Sequence, residues 1–468
     1  MQAATGSGTE PSVTAYATKD QLMTAFNPDS NGDATTIGKL VFGKNSSSVA
    51  QEWHILGKDE GVSGDNTIIF AASPIATKQA FEDDDSNKKT FASSFGVYET
   101  NPSDVYPNHY GASDLRVALK NMATNTSYFT TAEQGLMNPT TVRTNDILNS
   151  TTYTTTDKLY ALAADGYGSS YKTIKAGSDN NTVLAESSYW RSGECFWLHS
   201  PSDYSSDNIA MLAYPGKHVY GSIVRTKFAV QPASNLNLSS VLFASAATAA
   251  SSRTKSGMIA DGTAMTLRLD GTGKNIGTVT YNTTAGNIKA TKGSTTSNVA
   301  LVVQGNDGTN DWYYSKLITD TDTVTIKASD IEADSNTPAS IDLSACKIWL
   351  ETTDSDSNMT YAVNATETLV SDISSVAITD IETPVSNTAL DTEASCATTG
   401  VSSTTPQITW TSSDSTAGYN TSYTASITLT AATGYEFTDS TTATVLGNNA
   451  TSITKNTDGT LTVTYDFP

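Results

Sequence analysis

A chain of 468 residues is longer than one ordinary hydrophobic core supports, and this length suggests about three domains of roughly 100–200 residues each. Charged residues make up only 16% of the chain, and Thr, Ser, Asn and Gly replace them, which favours a β-rich protein. The formal net charge of −21 argues against nucleic acid and anionic lipid as partners, because both require clustered Lys and Arg.

Residues 1–12 are small and polar, and we expect a flexible N-terminus like that left when a signal peptide is removed. No run of 18 apolar residues follows, so we expect no direct membrane insertion. The three cysteines, Cys195, Cys346 and Cys396, are too few and too widely spaced for a disulfide framework or a zinc cluster. We interpret them as buried free thiols.

The region 13–243 combines helix and strand patterns. Ser113 is predicted to cap a helix, and Thr130 with Glu133 three residues later predicts a capping box at a second one. Apolar or alternating runs predict strands at residues 53–56, 67–70, 158–162 and 196–198. This region is therefore predicted to have a mixed α+β fold.

Two further regions show only strand patterns. Residues 244–256 begin with a run of Ala, Ser and Thr, which we interpret as a linker. Residues 257–370 contain alternating strands and no convincing helix, and a small β-sandwich is expected. In 371–468 the alternation is clearest at 423–429 and 461–467, which indicates an immunoglobulin-like sandwich.

Several motifs in the first region occur in a recognisable order. They are YGASDLR at 110–116, DKLYAL at 157–162, YWRSG at 189–193, FWLHSP at 196–201 and VQPA at 230–233. This order resembles a C-type-lectin-like domain family of unknown function from exported proteins of gut Gram-positive bacteria. His199 and Gln231 stand where that family usually has Arg. The resemblance implies a lectin-like fold and an extracellular location, either secreted or on the cell surface.

The segment AATGYEF at 431–437 resembles bacterial immunoglobulin-like modules, which usually serve as stalks. The predicted fold class is therefore multi-domain: an α+β C-type-lectin-like N-terminal domain followed by two all-β sandwich (immunoglobulin-like) domains. The predicted boundaries are 1–12 for the flexible N-terminus, 13–243 for the lectin-like domain, 244–256 for the linker, 257–370 for the β-sandwich spacer and 371–468 for the immunoglobulin-like domain.

The stretch 202–227 is rich in Tyr, Ser, Asn and Asp, the residue types that recognition surfaces use. We predict that it forms a hairpin that binds a ligand, an expectation that the lectin-like resemblance supports. The predicted ligand-binding residues are Asp203, Tyr204, Asp207, Asn208, Tyr214, His218 and Tyr220. The alternative is ordinary loop composition in a Tyr- and Ser-rich protein.

Catalytic and metal motifs are weak. Asp29, Asn31 and Asp33 match the first half of a calcium loop, but Leu40 occupies the place of the bidentate Glu, so calcium and a plain polar turn both remain open. The histidines form no His-Glu-x-x-His pattern, and no nucleophile elbow is present. We therefore expect neither an enzyme nor a cofactor.

These observations together predict a secreted or cell-surface, adhesin-like binding protein. Its expected partner is a glycan or an extracellular protein, bound by the lectin-like head and displayed on β-sandwich stalk modules. One alternative is a structural subunit of a surface layer or fibre, which would self-associate and bind no small ligand. A second alternative is a glycan hydrolase, since a pair of carboxylates is recognised only in three dimensions.

Overall fold

The computed structural model describes residues 16–24, 38–164, 174–180, 182–184, 194–202, 208–214, 218–247, 257–259, 264–319, 322–353, 359–368 and 370–467. Strands make up 49% of the chain and helices 10%, arranged in several sheets. The β-rich prediction is confirmed at this level. The predicted N-terminus 1–12 and the calcium candidates Asp29, Asn31 and Asp33 lie outside the described residues.

The described helices are short. They are α1 (Lys19–Thr24), α2 (Asp114–Thr124), α3 (Thr131–Leu136) and α4 (Ala328–Glu332), with 3-10 helices at Ser93–Phe95, Tyr110–Ala112 and Leu343–Ala345. A search of the described residues for a helix of membrane-spanning length and hydropathy finds none.

In the described part of residues 1–245, the structure has twenty strands. They are β1 (Tyr16–Thr18), β2 (Lys39–Lys44), β3 (Ala50–Gly57), β4 (Asn66–Ala71), β5 (Ala76–Ala80), β6 (Lys89–Thr90), β7 (Asp104–Val105), β8 (Met137–Asn138), β9 (Thr140–Asp146), β10 (Thr151–Asp157), β11 (Leu159–Tyr160), β12 (Ala163–Ala164), β13 (Ile174–Ala176), β14 (Thr182–Leu184), β15 (Phe196–Pro201), β16 (Ile209–Tyr214), β17 (His218–Ile223), β18 (Lys227–Val230), β19 (Ala233–Asn237) and β20 (Val241–Ser245).

The remaining strands follow residue 256. They are β21 (Gly257–Ile259), β22 (Thr266–Asp270), β23 (Gly277–Asn282), β24 (Asn287–Lys292), β25 (Val299–Asn306), β26 (Asp311–Ile318), β27 (Val324–Lys327), β28 (Lys347–Thr352), β29 (Thr360–Asn364), β30 (Thr366–Glu367), β31 (Ser371–Ile378), β32 (Ile408–Trp410), β33 (Tyr423–Leu429), β34 (Tyr435–Val445), β35 (Asn448–Asn449), β36 (Ser452–Lys455) and β37 (Leu461–Phe467).

The chain divides into two compact units. Unit 1 comprises Met1–Val279, Lys289–Ile341 and Ala345–Ala365, and unit 2 comprises Thr280–Ile288, Asp342–Ser344 and Thr366–Pro468. Unit 1 thus includes most of both regions that the sequence assigns to separate lectin-like and spacer domains.

The three largest sheets among the described residues of unit 1 hold most of its strands. Their strand orders are β1-β20-β22-β29-β28-β25-β26-β21, β11-β19-β4-β3-β2 with β8 also on β19, and β17-β16-β15-β18-β5. The second of these sheets is covered on both faces, because Ile69 packs into one core and its neighbours Ile68 and Phe70 into another. This double covering explains why β4 reads as a continuous apolar run rather than an alternating one.

The two sequence-predicted helix starts in unit 1 are confirmed. The Arg116 backbone N–H donates to Ser113 Oγ at the start of α2 (3.1 Å). Thr130 and Glu133 form the complete capping box at α3. Leu115 and Leu119 of α2 are buried in the larger core, so these local signals place the helix against the sheets.

The start of the predicted linker is structured. Ala244 and Ser245 belong to β20, which pairs with β1 on one side and with β22 on the other. Ala244, Ser245, Ala246 and Ala247 are all buried. Residues 244–247 were therefore wrongly assigned to a linker: small side chains here fit a closely packed sheet interior. Residues 248–256 lie outside the described residues.

Unit 2 encloses a core between two sheets, β31-β34-β35 and β32-β33-β37-β36. Buried residues alternate with exposed or half-buried ones along β33, as the sequence predicts for a strand with one face on the core. Strands β31 and β34 run parallel, and Cys396 is a buried free thiol in the core between the sheets.

Candidate functional site

The predicted recognition hairpin lies at one edge of the five-stranded sheet of unit 1. Strand β16 pairs antiparallel with β17, from Ile209 opposite Ile223 to Tyr214 opposite His218. On its other side β16 pairs with β15, which carries the FWLHSP motif. Within this sheet β17 is the terminal strand. The hairpin therefore continues the sheet outward from β15, the buried strand that precedes it in the sequence.

Two of the seven predicted ligand residues can be described in full. Asn208 is half-buried and immediately precedes β16, and Tyr220 is exposed on β17. Tyr214 and His218 are opposite each other at the far end of the β16–β17 pair, and only their backbone is described. Asp203, Tyr204 and Asp207 lie outside the described residues. The structure thus brings Asn208 and Tyr220 to one hairpin and leaves the complete set a prediction.

Backbone hydrogen bonds fix the base of the hairpin. The Val224 N–H donates to Asn208 O, and the Ser202 N–H donates to Ile209 O, both at 3.0 Å. The buried Asn108 side chain also donates from Nδ2 to Ile209 O at 3.0 Å. Asn108 is 101 residues from Ile209 along the chain, and no local sequence pattern announces this contact.

Two large apolar side chains are exposed on the edge strand β17. Tyr220 is 40% exposed and Ile223 is 41% exposed, whereas Val219 on the same strand is fully buried. The next turn is tied to an acidic loop, because Arg225 Nε lies 3.2 Å from Asp85 Oδ2. Residues three apart on a strand point to opposite faces, so this edge presents Tyr220 on one face and Ile223 on the other, on a backbone that is held in place.

A buried cluster of titratable groups lies elsewhere in unit 1. Tyr98 donates from its hydroxyl to Asp146 Oδ2 (2.6 Å), and the same hydroxyl lies 2.6 Å from His109 Nε2. The Ala112 N–H donates to His109 Nδ1 (3.1 Å), which places the ring proton of the neutral imidazole on Nε2. The His109 ring stacks on Tyr153, with centroids 4.0 Å apart.

Every polar group in this cluster has a partner. Asp146 also accepts from Asn149 Nδ2 at 2.8 Å and from the Asn149 N–H at 3.2 Å. Burial lowers the pKa of His109 to about 4, and burial also raises the pKa of Tyr98. Near neutral pH, His109 is therefore uncharged and Tyr98 protonated, an arrangement that holds the 3-10 helix and β9 together.

His199 and Cys195 are close in sequence, and burial lowers the pKa of the first and raises that of the second. His199 is buried, with Nδ1 at 3.1 Å from Thr144 Oγ1, and burial lowers its pKa to about 3. Burial raises the pKa of the Cys195 thiol, which disfavours the nucleophilic thiolate. Gln231 donates from Nε2 to Ala71 O at 2.7 Å. The two positions that depart from the lectin-like family pattern thus hydrogen-bond to different partners.

Two buried carboxylates of unit 1 are paired with buried arginines. Arg116 Nε donates to both oxygens of Asp157 (3.0 and 2.9 Å), and Arg268 Nε donates to Glu351 Oε2 (2.5 Å). Across the described parts of the chain, no group of three or more His, Cys, Asp or Glu side chains is arranged to hold a metal ion.

Comparisons with family models, with curated proteins and with solved structures gave no match to this chain.

Proposed function

We propose that the chain is a secreted or cell-surface binding protein whose C-type-lectin-like region, 13–243, recognises a glycan or protein ligand through the β16–β17 hairpin. The observation that carries this proposal is the exposure of Tyr220 and Ile223 on a single edge strand. Tyrosine supplies rigid contact area at a small cost in conformational entropy, which suits a recognition surface.

The immobilised base of the hairpin supports the same function. Binding costs less conformational entropy when the protein surface is already ordered before the ligand binds. The bonds from Ser202, Val224 and Asn108 fix the two strands before any ligand arrives. The immunoglobulin-like region 371–468 is proposed as a stalk module.

The test is a screen of the full chain against glycan and mucin arrays, followed by the triple change Tyr204→Ala, Tyr214→Ala and Tyr220→Ala. We expect the triple variant to bind about tenfold more weakly or worse, since tyrosines that become buried when a complex forms often dominate the binding free energy. Tyr435→Ala is the matched control, because Tyr435 is a partly exposed tyrosine of unit 2. Binding that survives all three changes would exclude this hairpin.

A second candidate function is a structural subunit that self-associates through strand edges. All four residues of β36 are exposed, and β36 is the terminal strand of its sheet. Exposed edges are templates for pairing with another chain. Light scattering over a hundredfold concentration range would favour assembly if the mass rises and if Ile453→Lys abolishes the rise. A constant monomer mass would exclude it.

A further inference from the structure

Two loops of unit 2 form an exposed surface that the stalk role does not use. We call residues 385–388 and 418–422 the Tyr419 surface. Tyr419 is 74% exposed and Val385 is 59% exposed. Exposed apolar side chains that occur singly need no explanation, but here an aromatic and an aliphatic residue lie on loops that are bonded to each other.

Hydrogen bonds join the two loops and position the ring. Asn387 Nδ2 donates to the Tyr419 hydroxyl oxygen at 2.8 Å. The Asn387 N–H donates to Ala417 O (2.8 Å), and Ser386 Oγ donates to Gly418 O (3.2 Å). The hydroxyl of Tyr419 and the backbone of the two residues before it are therefore held by the other loop, while the ring surface remains open to solvent.

The loops are also anchored to the interior. The Gly418 N–H donates to the hydroxyl of Tyr423 (2.7 Å), a buried residue at the start of β33. Tyr423 packs with Leu390 and Ala417 in a small apolar cluster beneath the loops. This support makes the surface a preorganised one, which reduces the conformational entropy lost when a ligand binds.

The charge distribution restricts what this surface can bind. From residue 366 to the end, the sequence has eleven Asp or Glu and a single basic residue, Lys455. The segments 383–390 and 415–423 contain no charged residue at all. An anionic ligand is disfavoured by the acidic unit, and a basic ligand finds no carboxylate within the two loops.

We infer that the Tyr419 surface binds a neutral saccharide, with one sugar ring stacked on the Tyr419 ring. The apolar C–H face of a sugar suits an aromatic face, and the exposed Asn387, Thr388, Asn420 and Thr421 offer amide and hydroxyl groups to sugar hydroxyls. Because Tyr419 accepts from Asn387, its own O–H proton is free to donate to the ligand. A protein partner would need about 800 Å² per side, more than two exposed apolar side chains indicate.

The experiment uses the full chain on an array of neutral glucose-, galactose- and N-acetylglucosamine-based oligosaccharides, and titration calorimetry with the best-bound one. We expect Tyr419→Ala to weaken binding about tenfold or more, and Tyr419→Phe, which keeps the ring, to weaken it only a few-fold. Tyr435→Ala is the control, since Tyr435 is the first residue of β34 and lies outside both loops. Tyr419 is so exposed that neither change should affect folding.

Two results would overturn the inference: no neutral oligosaccharide binds at about 10 mM, or Tyr419→Ala binds as well as the unchanged chain. The triple variant in the β16–β17 hairpin separates this site from the proposed function. Binding of neutral saccharides that survives the hairpin changes and is lost with Tyr419→Ala assigns it to the Tyr419 surface. If the hairpin changes abolish saccharide binding and Tyr419→Ala does not, the binding site lies in unit 1.

Discussion

Among the described residues of unit 1, two arginines are buried, Arg116 and Arg268, and each is paired with one carboxylate. Arg116 bonds through Nε to Asp157 and through Nη1 to Ser94 O (2.8 Å) and Gly111 O (3.0 Å). The pair therefore also fixes two turns near the motif YGASDLR. Its Asp157 belongs to the second motif, DKLYAL, so the two motifs meet through an ion pair.

Removing one partner of this pair should be strongly destabilising. Arg116→Met leaves the buried Asp157 carboxylate with one nearby cation, the half-exposed Lys120, whose Nζ lies 3.9 Å from Asp157 Oδ1. We expect a loss of about 3–5 kcal/mol in the free energy of unfolding, measured by urea denaturation. Lys39→Met, at the exposed pair with Glu52, is the control and should cost less than about 1 kcal/mol. Equal effects at the two sites would contradict this interpretation.

The pKa values of two buried histidines, His109 and His199, predict a dependence of stability on pH. Burial lowers the pKa of His109 to about 4 and that of His199 to about 3. In the unfolded chain the pKa of a histidine is about 6.5. Between these values the unfolded chain binds more protons than the folded chain, so the free energy of unfolding falls as the pH drops through this window. His199→Gln should make that fall shallower between pH 6.5 and 4.

Nuclear magnetic resonance gives the direct check on these histidines. The ring protons of His109 and His199 should show no titration between pH 8 and 5 in the folded chain. A titration of either ring near pH 6.5 would contradict the assignment of neutral, buried imidazoles and would remove the expected slope.

At the scale of single elements, α3 shows how a local signal is extended by a distant contact. Glu133 accepts from the Thr130 N–H (2.8 Å) within the capping box and from the Gly43 N–H (2.9 Å) on β2. Thr130→Ala removes only the local cap and should cost about 1 kcal/mol. Glu133→Ala should cost roughly twice as much, because it also leaves the buried Gly43 N–H without its acceptor.

Thermal unfolding of the two single variants measures this difference. The double variant should be less destabilised than the sum of the two, since both residues belong to one hydrogen-bonded cap. If Thr130→Ala proved the more costly change, the contact with Gly43 would have no role in stability.

The elements that sequence predicted are those whose signals are local. The cap at Ser113, the capping box at Thr130 and the alternation along β33 each depend on a few adjacent residues, and the structure has all three. The contact of Asn108 with β16 and the burial of residues 244–247 depend on partners far away in sequence. A run of Ala and Ser suggests a linker by its composition alone, and only the pairing of β20 with β22 shows that residues 244–247 are buried.

At the scale of the whole molecule, the continuous sheet changes how unit 1 is expected to fold. Strand β20 lies between β1 and β22, so a break at the predicted linker separates neighbouring strands of one sheet. The largest apolar core of unit 1 includes Met265, Leu267, Leu269 and Met359. Residues 1–256 without these partners lack part of their own core.

This organisation predicts different behaviour for different fragments. Residues 1–256 alone should not unfold cooperatively in urea, whereas 1–370 should, because only the longer fragment contains β22, β25, β28 and β29. Residues 371–468 alone should also unfold cooperatively, since the core between their two sheets draws its residues from Ile373 to Phe467.

Circular dichroism in the near ultraviolet and hydrogen exchange measure these outcomes. The buried Trp53 and Trp197 should give a fixed-environment signal in 1–370 and lose it in 1–256. A cooperative, native-like 1–256 fragment would instead show that the first region folds without β22, and that the shared sheet forms only after both parts have folded. Because β20 would then have an unpaired edge, such a fragment should also dimerise, which separates the two explanations.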